Sequence, residues 1–353
     1  MATPITHNPH PRAKMTDEKN LGFGKNFTDH MLMMDYSVDK GWYDAKIVPY
    51  QQLSLDPATM VLHYGQAIFE GLKAYRADDG VRLFRPMENV KRLNRSAERM
   101  SIPVLPEDKV YEAMTDLIRL EADWIPQSEG ASLYVRPTVI ATDPFLGVSA
   151  SKTYLFFVIL SPSGAYYPGG LAAVKIWVEP QYVRAVRGGI GFTKAAANYA
   201  ASLYAGEAAK KAGYTQVLWL DGIEQKYIEE VGAMNMCFVI DGKLVTPELN
   251  GSILPGITRD SVLTLARDMG YAVEERRVAL EEIIDGIRTG RLTEAFGTGT
   301  AAVVSPVGWL GYGKESFEIG GGVIGPVAQR MYDTIIGIQY GRLPDTHNWS
   351  TLL

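Results

Sequence analysis

A single cysteine in 353 residues, Cys237, excludes an internal disulfide and a cysteine metal cluster. It lies in the apolar run M-N-M-C-F-V-I and reads as a small core residue of a buried strand. Histidine is scarce as well: the five, at 7, 10, 30, 63 and 347, form no H-x-x-x-H pair and have no acidic companion at ligand spacing, so no metal is expected. Basic blocks are lacking, and 35 basic against 40 acidic residues leave a net charge of -5, which argues against a nucleic-acid partner. No run approaches the roughly 18 apolar residues that span a bilayer, and the N-terminus, M-A-T-P-I-T-H-N-P-H-P-R-A-K, has no apolar signal segment. The expectation is a cytoplasmic protein with no membrane partner and a frayed start over about 1–20. Repeats and low-complexity tracts are also missing.

What remains is a globular chain, 46% hydrophobic and long enough to form two domains around separate cores. From Asp29 to about Glu179, short strand-like runs (V-L-H-Y, V-R-L-F, S-L-Y-V-R, T-Y-L-F-F-V-I-L) alternate with helical stretches at 87–100 and 107–123. This is an α/β chain of the mixed α+β kind. Pro162, Gly164, Pro168, Gly169 and Gly170 mark a turn-rich segment, and R-A-V-R-G-G-I-G at 184–191 reads as a mobile linker. The predicted division is an N-terminal domain over 1–179, a linker over 180–190 and a C-terminal domain over 191–353. In the second half an Ala-rich helix over about 195–212 ends at Gly213, and Asp241-Gly242 between apolar runs predicts a hairpin. A helix is expected to open at Thr258 as its N-cap, and another to run over about 326–338.

The residues that point to chemistry start with G-F-T-K-A-A-A-N-Y at 191–199, where Lys194 sits among glycine and alanine. Small neighbours let a flat ring approach the amine, and desolvation that lowers a lysine pKa makes it a nucleophile. The acid-glycine segment E-E-V-G-A-M-N follows at 229–235, and together the two segments suggest a site for pyridoxal phosphate (PLP). In S-I-L-P-G-I-T-R-D-S at 252–261, the glycine before a helix start would leave backbone amides facing an anion. F-G-T-G-T-A-A at 296–302 adds hydroxyls and approachable backbone. The last segment also fits the G-x-G-x-x-A variant of the dinucleotide fingerprint, but V-V-S-P-V-G-W-L after it is β-branched and broken by Pro306, so the required helix is not expected. In the first domain, Tyr64 and Phe69, Arg85, and the strand neighbours Tyr134 and Arg136, which share one face, could form an aromatic wall with a guanidinium.

The chain resembles the branched-chain amino acid aminotransferases, fold type IV PLP enzymes, from about Phe23 to Gln339. The resemblance rests on F-T-D-H-M at 27–31, L-H-Y-x-x-x-x-F-E-G-L-K-A at 62–74, Y-V-R-P at 134–137, K-x-x-x-N-Y at 194–199, E-V-G-x-M-N at 230–235, L-P-G-I-T-R at 254–259 and G-T-A at 299–301. It implies a small α+β domain followed by a larger barrel-like one. By the same resemblance Lys194 anchors PLP and moves the substrate Cα proton, Glu230 pairs with the pyridine nitrogen, and Tyr199 bonds the ring's 3-oxygen. Phosphate would be held by Arg85, the amides of Ile257 and Thr258, and the Gly299-Thr300 segment. The amides of Thr300 and Ala301 resemble the α-carboxylate binders; Phe23, Tyr64, Phe69, Tyr134 and Tyr166 resemble the side-chain pocket. Arg136, supported by Tyr64, resembles the group that meets the distal carboxylate of glutamate. Val148 resembles a residue that reaches the partner's site across a homodimer.

The implied reaction is ping-pong transfer of an amino group between leucine, isoleucine or valine and 2-oxoglutarate. Two positions depart from the family. A-V-V-S at 302–305 replaces a redox C-x-x-C found in mammalian members, and Ala233 replaces a threonine found in some relatives. D-amino acid aminotransferases and aminodeoxychorismate lyases share the lysine and glutamate, and a catalytically silent PLP-binding protein would share them too. The first-domain motifs at 62–74 and 134–137 favour the branched-chain enzyme.

Overall fold

The computed structural model describes residues 3–15, 17–166 and 170–353, so Pro168 and Gly169 of the predicted turn segment lie outside the described residues. The chain divides into two compact units, of residues 1–168, 193–197 and 337–353, and of residues 169–192 and 198–336. The first cut therefore precedes the predicted linker, and the C-terminal segment rejoins the first unit.

The first unit is built on one antiparallel sheet. Its strands are β1 (His30–Ser37), β2 (Gly41–Pro49), β3 (Ala67–Phe69), β4 (Leu72–Ala77), β5 (Gly80–Phe84), β6 (Ser132–Ala141) and β7 (Thr153–Ser163), with Ser350–Leu352 added at the β5 edge. The order runs from that edge strand through β5, β4, β6, β7 and β1 to β2, and β3 pairs with β6. Helices α1 (Met60–Tyr64), α2 (Pro86–Arg99) and α3 (Glu107–Leu120) complete it. On α2 the apolar positions Val90, Leu93 and Ala97 are buried, the three- and four-residue spacing of a core-facing stripe.

Two expectations fail here. V-L-H-Y is a helical turn rather than a strand, because Asp56 caps the preceding turn through the Ala58 N–H at 2.7 Å and Gly65, at φ 61°, stops the helix. The start of the chain is not frayed throughout: Thr6 N–H donates to Ile47 O at 2.9 Å, Ile47 N–H to Pro4 O at 2.8 Å, and Arg12 N–H to Asp29 Oδ1 at 2.6 Å.

The second unit holds β8 (Val174–Val178), β9 (Gln216–Leu220), β10 (Ile228–Val231), β11 (Met234–Ile240), β12 (Lys243–Pro247), β13 (Val273–Arg276), β14 (Leu292–Gly299), β15 (Val303–Tyr312) and β16 (Glu315–Glu318). The order β10-β9-β8-β15-β14-β11 closes on itself because β11 also pairs with β10, which makes a barrel. Its core packs Ile176, Leu218, Met236, Phe238 and Leu310, all nearly inaccessible to solvent. Helices α4 (Ala196–Lys211) and α7 (Pro326–Gln339) each span a unit boundary, while α5 (Ile257–Asp268) and α6 (Leu280–Thr289) lie within this unit. Asp241 and Gly242 have φ of 50° and 73°, the primed turn expected between β11 and β12.

Thr258 is not the N-cap of α5; Gly256 is, with no side-chain cap. The stretch 184–191 is no loose linker either, since Arg184 is buried and its Nη2 donates to the carbonyls of Gly191, at 3.3 Å, and Ser252.

Candidate active site

In the first unit the peptide of Lys194 is held from two sides. Its N–H donates to Ser96 Oγ of α2 at 3.0 Å, and its carbonyl accepts the Phe69 N–H of β3 at 3.0 Å. A bridge between Ile68 and Ala195 extends the pairing, so the lysine backbone behaves as an added piece of strand. The amine lies 5.1 Å above the centre of the Phe69 ring. Burial pushes its pKa below the ordinary lysine value; the guanidinium of Arg92 adds to this, Glu70 and Tyr134 oppose it, and Arg136 lowers it further. A lowered pKa makes the amine a better nucleophile and base than an exposed lysine.

Around it, sequence-predicted residues are brought together. Arg136 Nη2 donates to Tyr134 Oη at 3.1 Å, and its guanidinium lies 4.7 Å from the Phe69 ring centre. The buried Arg136 Nε has no hydrogen-bond partner among the described residues. Gly71 is required by this arrangement, for a Cβ there would stand 2.0 Å from Tyr134 Oη. Phe23 packs edge-on against Tyr134 at 4.8 Å. The expected support of Arg136 by Tyr64 is not seen: the Tyr64 hydroxyl donates to Leu146 O, and Tyr134 takes the supporting place. Val148, two residues after Leu146 in sequence, is 87% exposed, and Tyr166 is 43% exposed. Arg85 is the N-cap of α2, in the left-handed region at φ 50°, with its N–H on Trp349 O at 2.7 Å.

The second unit carries the acidic and anion-facing residues. Glu230 on β10 is almost fully buried; its Oε1 accepts the Leu254 N–H at 2.7 Å, and its Oε2 lies 3.2 Å from Arg184 Nε. Both contacts favour the ionised carboxylate. Neighbouring Glu229 is different, since burial pushes its pKa up while the Ser252 hydroxyl and Arg184 oppose the shift. Tyr199 lies in the first turns of α4, partly buried. Ile257 and Thr258 open α5 directly after Gly256.

Gly299 ends β14, and Thr300 to Ala302 form a turn before β15. The element after this turn is a strand, so the dinucleotide fingerprint has no helix and does not apply. Val303, at φ 63°, closes the turn; a β-branched residue there is strained by about 1–3 kcal/mol. Nothing in the sequence signalled it. Ala233 is exposed in the tight β10–β11 hairpin, beside Gly232 at φ 57°. Among the described residues no His, Cys, Asp or Glu group could hold a metal, and no helix is long and apolar enough to cross a membrane.

The family model for amino-transferase class IV matches residues 67–308. Branched-chain-amino-acid aminotransferase 2 of Bacillus subtilis (strain 168) is 56% identical over 336 residues, 95% of this chain and 93% of the relative. Among solved structures, the branched-chain amino acid aminotransferase of Escherichia coli superposes with a TM-score of 0.78 at 30% identity, covering 91% of this chain and 98% of that one. The T.th. branched-chain amino acid aminotransferase complexed with N-(5'-phosphopyridoxyl)-L-glutamate gives 0.76 at 29% identity, again over 91% and 98%.

Proposed function

The chain belongs to the amino-transferase class IV family and acts as a branched-chain amino acid aminotransferase, and from that premise we propose how its own residues carry the reaction. The family is PLP-dependent, and the residues of this chain fit that cofactor. A lysine of lowered pKa suits an aldehyde, and a buried carboxylate with two partners that favour its charge suits a ring nitrogen held protonated. A helix N-terminus directly behind a glycine suits a phosphate dianion.

In this reading bound PLP supplies an electron sink for the charge left on the substrate Cα. Lys194 Nζ would anchor the cofactor and would take and hold the proton that leaves the substrate Cα. Glu230 keeps the ring nitrogen protonated, and Tyr199 donates to the 3-oxygen. Arg85, the amides of Ile257 and Thr258, and the Gly299-Thr300 segment hold the phosphate. The amides of Thr300 and Ala301 receive the α-carboxylate. Phe23, Tyr64, Phe69, Tyr134 and Tyr166 face the side chain, and Arg136 receives the distal carboxylate of glutamate. Its unsatisfied Nε and its place over the Phe69 ring support a group that serves both an apolar and an anionic side chain. The donors are leucine, isoleucine and valine, and the acceptor is 2-oxoglutarate. The proposal includes a homodimer in which Val148 of one copy reaches the site of the other, and a cytoplasmic location.

The observation that carries the reading is the Lys194 amine, clamped through its own peptide and desolvated beside Arg92 and Glu70. The test is a visible spectrum of the PLP-loaded protein before and after leucine, then after 2-oxoglutarate. The band should convert with leucine and return with 2-oxoglutarate. A band that ignores leucine and responds to D-alanine would transfer the assignment to the D-amino acid branch. A band unmoved by any amino acid would mark a silent PLP-binding protein.

A further inference from the structure

Asn235 has no part in the reaction as read so far, yet it is 5% exposed and stands directly across the β10–β11 ladder from Glu230. The two side chains hold the same residue. Glu230 Oε1 accepts the Leu254 N–H at 2.7 Å, and Asn235 Nδ2 donates to the Leu254 carbonyl at 2.9 Å, so both polar atoms of Leu254 are fixed. Two residues earlier, Arg184 fixes the Ser252 carbonyl while lying against Glu230. Loop 252–256 is thus tied to the Glu230 carboxylate at more than one point.

The other end of the Asn235 amide reaches the helix start. A Cβ on Gly256 would stand 1.9 Å from Asn235 Oδ1, which means that the amide oxygen packs onto the Gly256 backbone. Gly256 itself has φ -72° and ψ 130°, a conformation open to any residue, so glycine is demanded by Asn235 and not by the backbone. Gly256 is the N-cap of α5, and the amides that follow it are those of Ile257 and Thr258.

We propose that Asn235 is the positioning residue of the phosphate cradle: it grips the Leu254 carbonyl and abuts Gly256, setting the Ile257 and Thr258 amides in register with Glu230. This rests on the reading of those amides as phosphate ligands. One buried amide side chain thereby links the group that meets the ring nitrogen to the groups that meet the phosphate, so that both ends of one rigid molecule are addressed at a fixed spacing.

The test compares PLP with pyridoxal, the same ring without phosphate, by titrating the cofactor-free protein and following absorbance. In Asn235→Ala the dissociation constant for PLP should rise about 10- to 100-fold, while that for pyridoxal changes less than about 3-fold. Gly256→Ala should show the same selective loss and serves if Asn235→Ala does not fold. In the double variant the obstructing oxygen is gone, so its loss should be smaller than the product of the two single losses. Equal weakening of PLP and pyridoxal would show a general structural role and overturn the proposal, as would PLP binding unchanged in either single variant. A parent protein that takes up no PLP would overturn the cofactor reading itself, and the proposal with it.

Discussion

The carboxylate of Glu70 and the guanidinium of Arg92 form a two-point ion pair, with Nε on Oε1 at 2.7 Å and Nη2 on Oε2 at 2.9 Å, and the two side chains are only 1% and 4% exposed. The pair joins the loop after β3 to α2, one helical turn before Ser96. The Lys194 peptide is held by β3 and α2, through the neighbouring Phe69 and through Ser96. Removing one partner leaves a buried charge without its counter-ion, which costs about 3–5 kcal/mol.

Glu70→Gln should therefore lower the urea midpoint of the first unit's unfolding by a large margin, and the paired replacement Glu70→Leu with Arg92→Met should recover most of it. A Glu70→Gln variant within about 1 kcal/mol of the parent would reduce the pair to the standing of a surface bridge.

Lys73, on β4, gives a pH dependence whose sign can be worked out. The side chain is 9% exposed, and burial pushes its pKa down from 10.5 to about 8. Below about pH 8 the lysine is charged in both folded and unfolded chains, and the burial cost is fully present. Between about 8 and 10.5 the unfolded chain holds a proton that the folded chain lacks, so stability rises with pH, by at most about 3 kcal/mol. Lys73→Met should be flat over that window when compared with the parent by urea unfolding at several pH values. A parallel slope in both proteins would show that another group is responsible.

Cys237 should be inert in the native protein. It is fully buried on β11, and burial pushes its thiol up to about 11, against a smaller opposing effect of Arg259. Labelling with a thiol reagent at neutral pH should proceed only after denaturation, and mild peroxide should leave turnover unchanged. Rapid labelling of the folded protein would contradict its place in the core.

Much of this was legible in the sequence because local signals and tertiary demands agree. The α2 stripe, the Asp241-Gly242 turn and the Tyr134–Arg136 pairing on one strand face each follow from a short-range rule that the fold does not override. The errors lie where flanking residues or distant contacts overrule the local composition. V-L-H-Y has the composition of a strand, but Asp56 and Gly65 bound it too tightly for one. The glycines at 188–191 suggested a loose linker, whereas Arg184 is drawn inward by the Ser252 carbonyl and Glu230, residues far along the chain. Thr258 has the side chain of a cap, yet Asn235 forces glycine two residues earlier and the helix begins there. Strain at Val303 could not be read at all, because only the closure of the β14–β15 turn imposes it.

The division of labour between Lys194 and Glu230 provides the decisive pair of variants. Lys194→Ala removes the only atom proposed to bind the cofactor covalently and to carry the proton, so both the visible band and nearly all turnover should be lost. Glu230→Gln keeps the shape and leaves the Leu254 N–H with an acceptor, but it removes the charge that would hold the ring nitrogen protonated and the carboxylate that lies against Arg184 Nε. The band should persist while the rate falls by about 30- to 1000-fold, equivalent to roughly 2–4 kcal/mol. Measuring both variants against leucine and 2-oxoglutarate separates the roles. Normal turnover in Lys194→Ala would remove the lysine from the chemistry. An unchanged rate in Glu230→Gln would mean that the ring is kept protonated by some other group, and that the buried carboxylate serves mainly to fix the Leu254 loop.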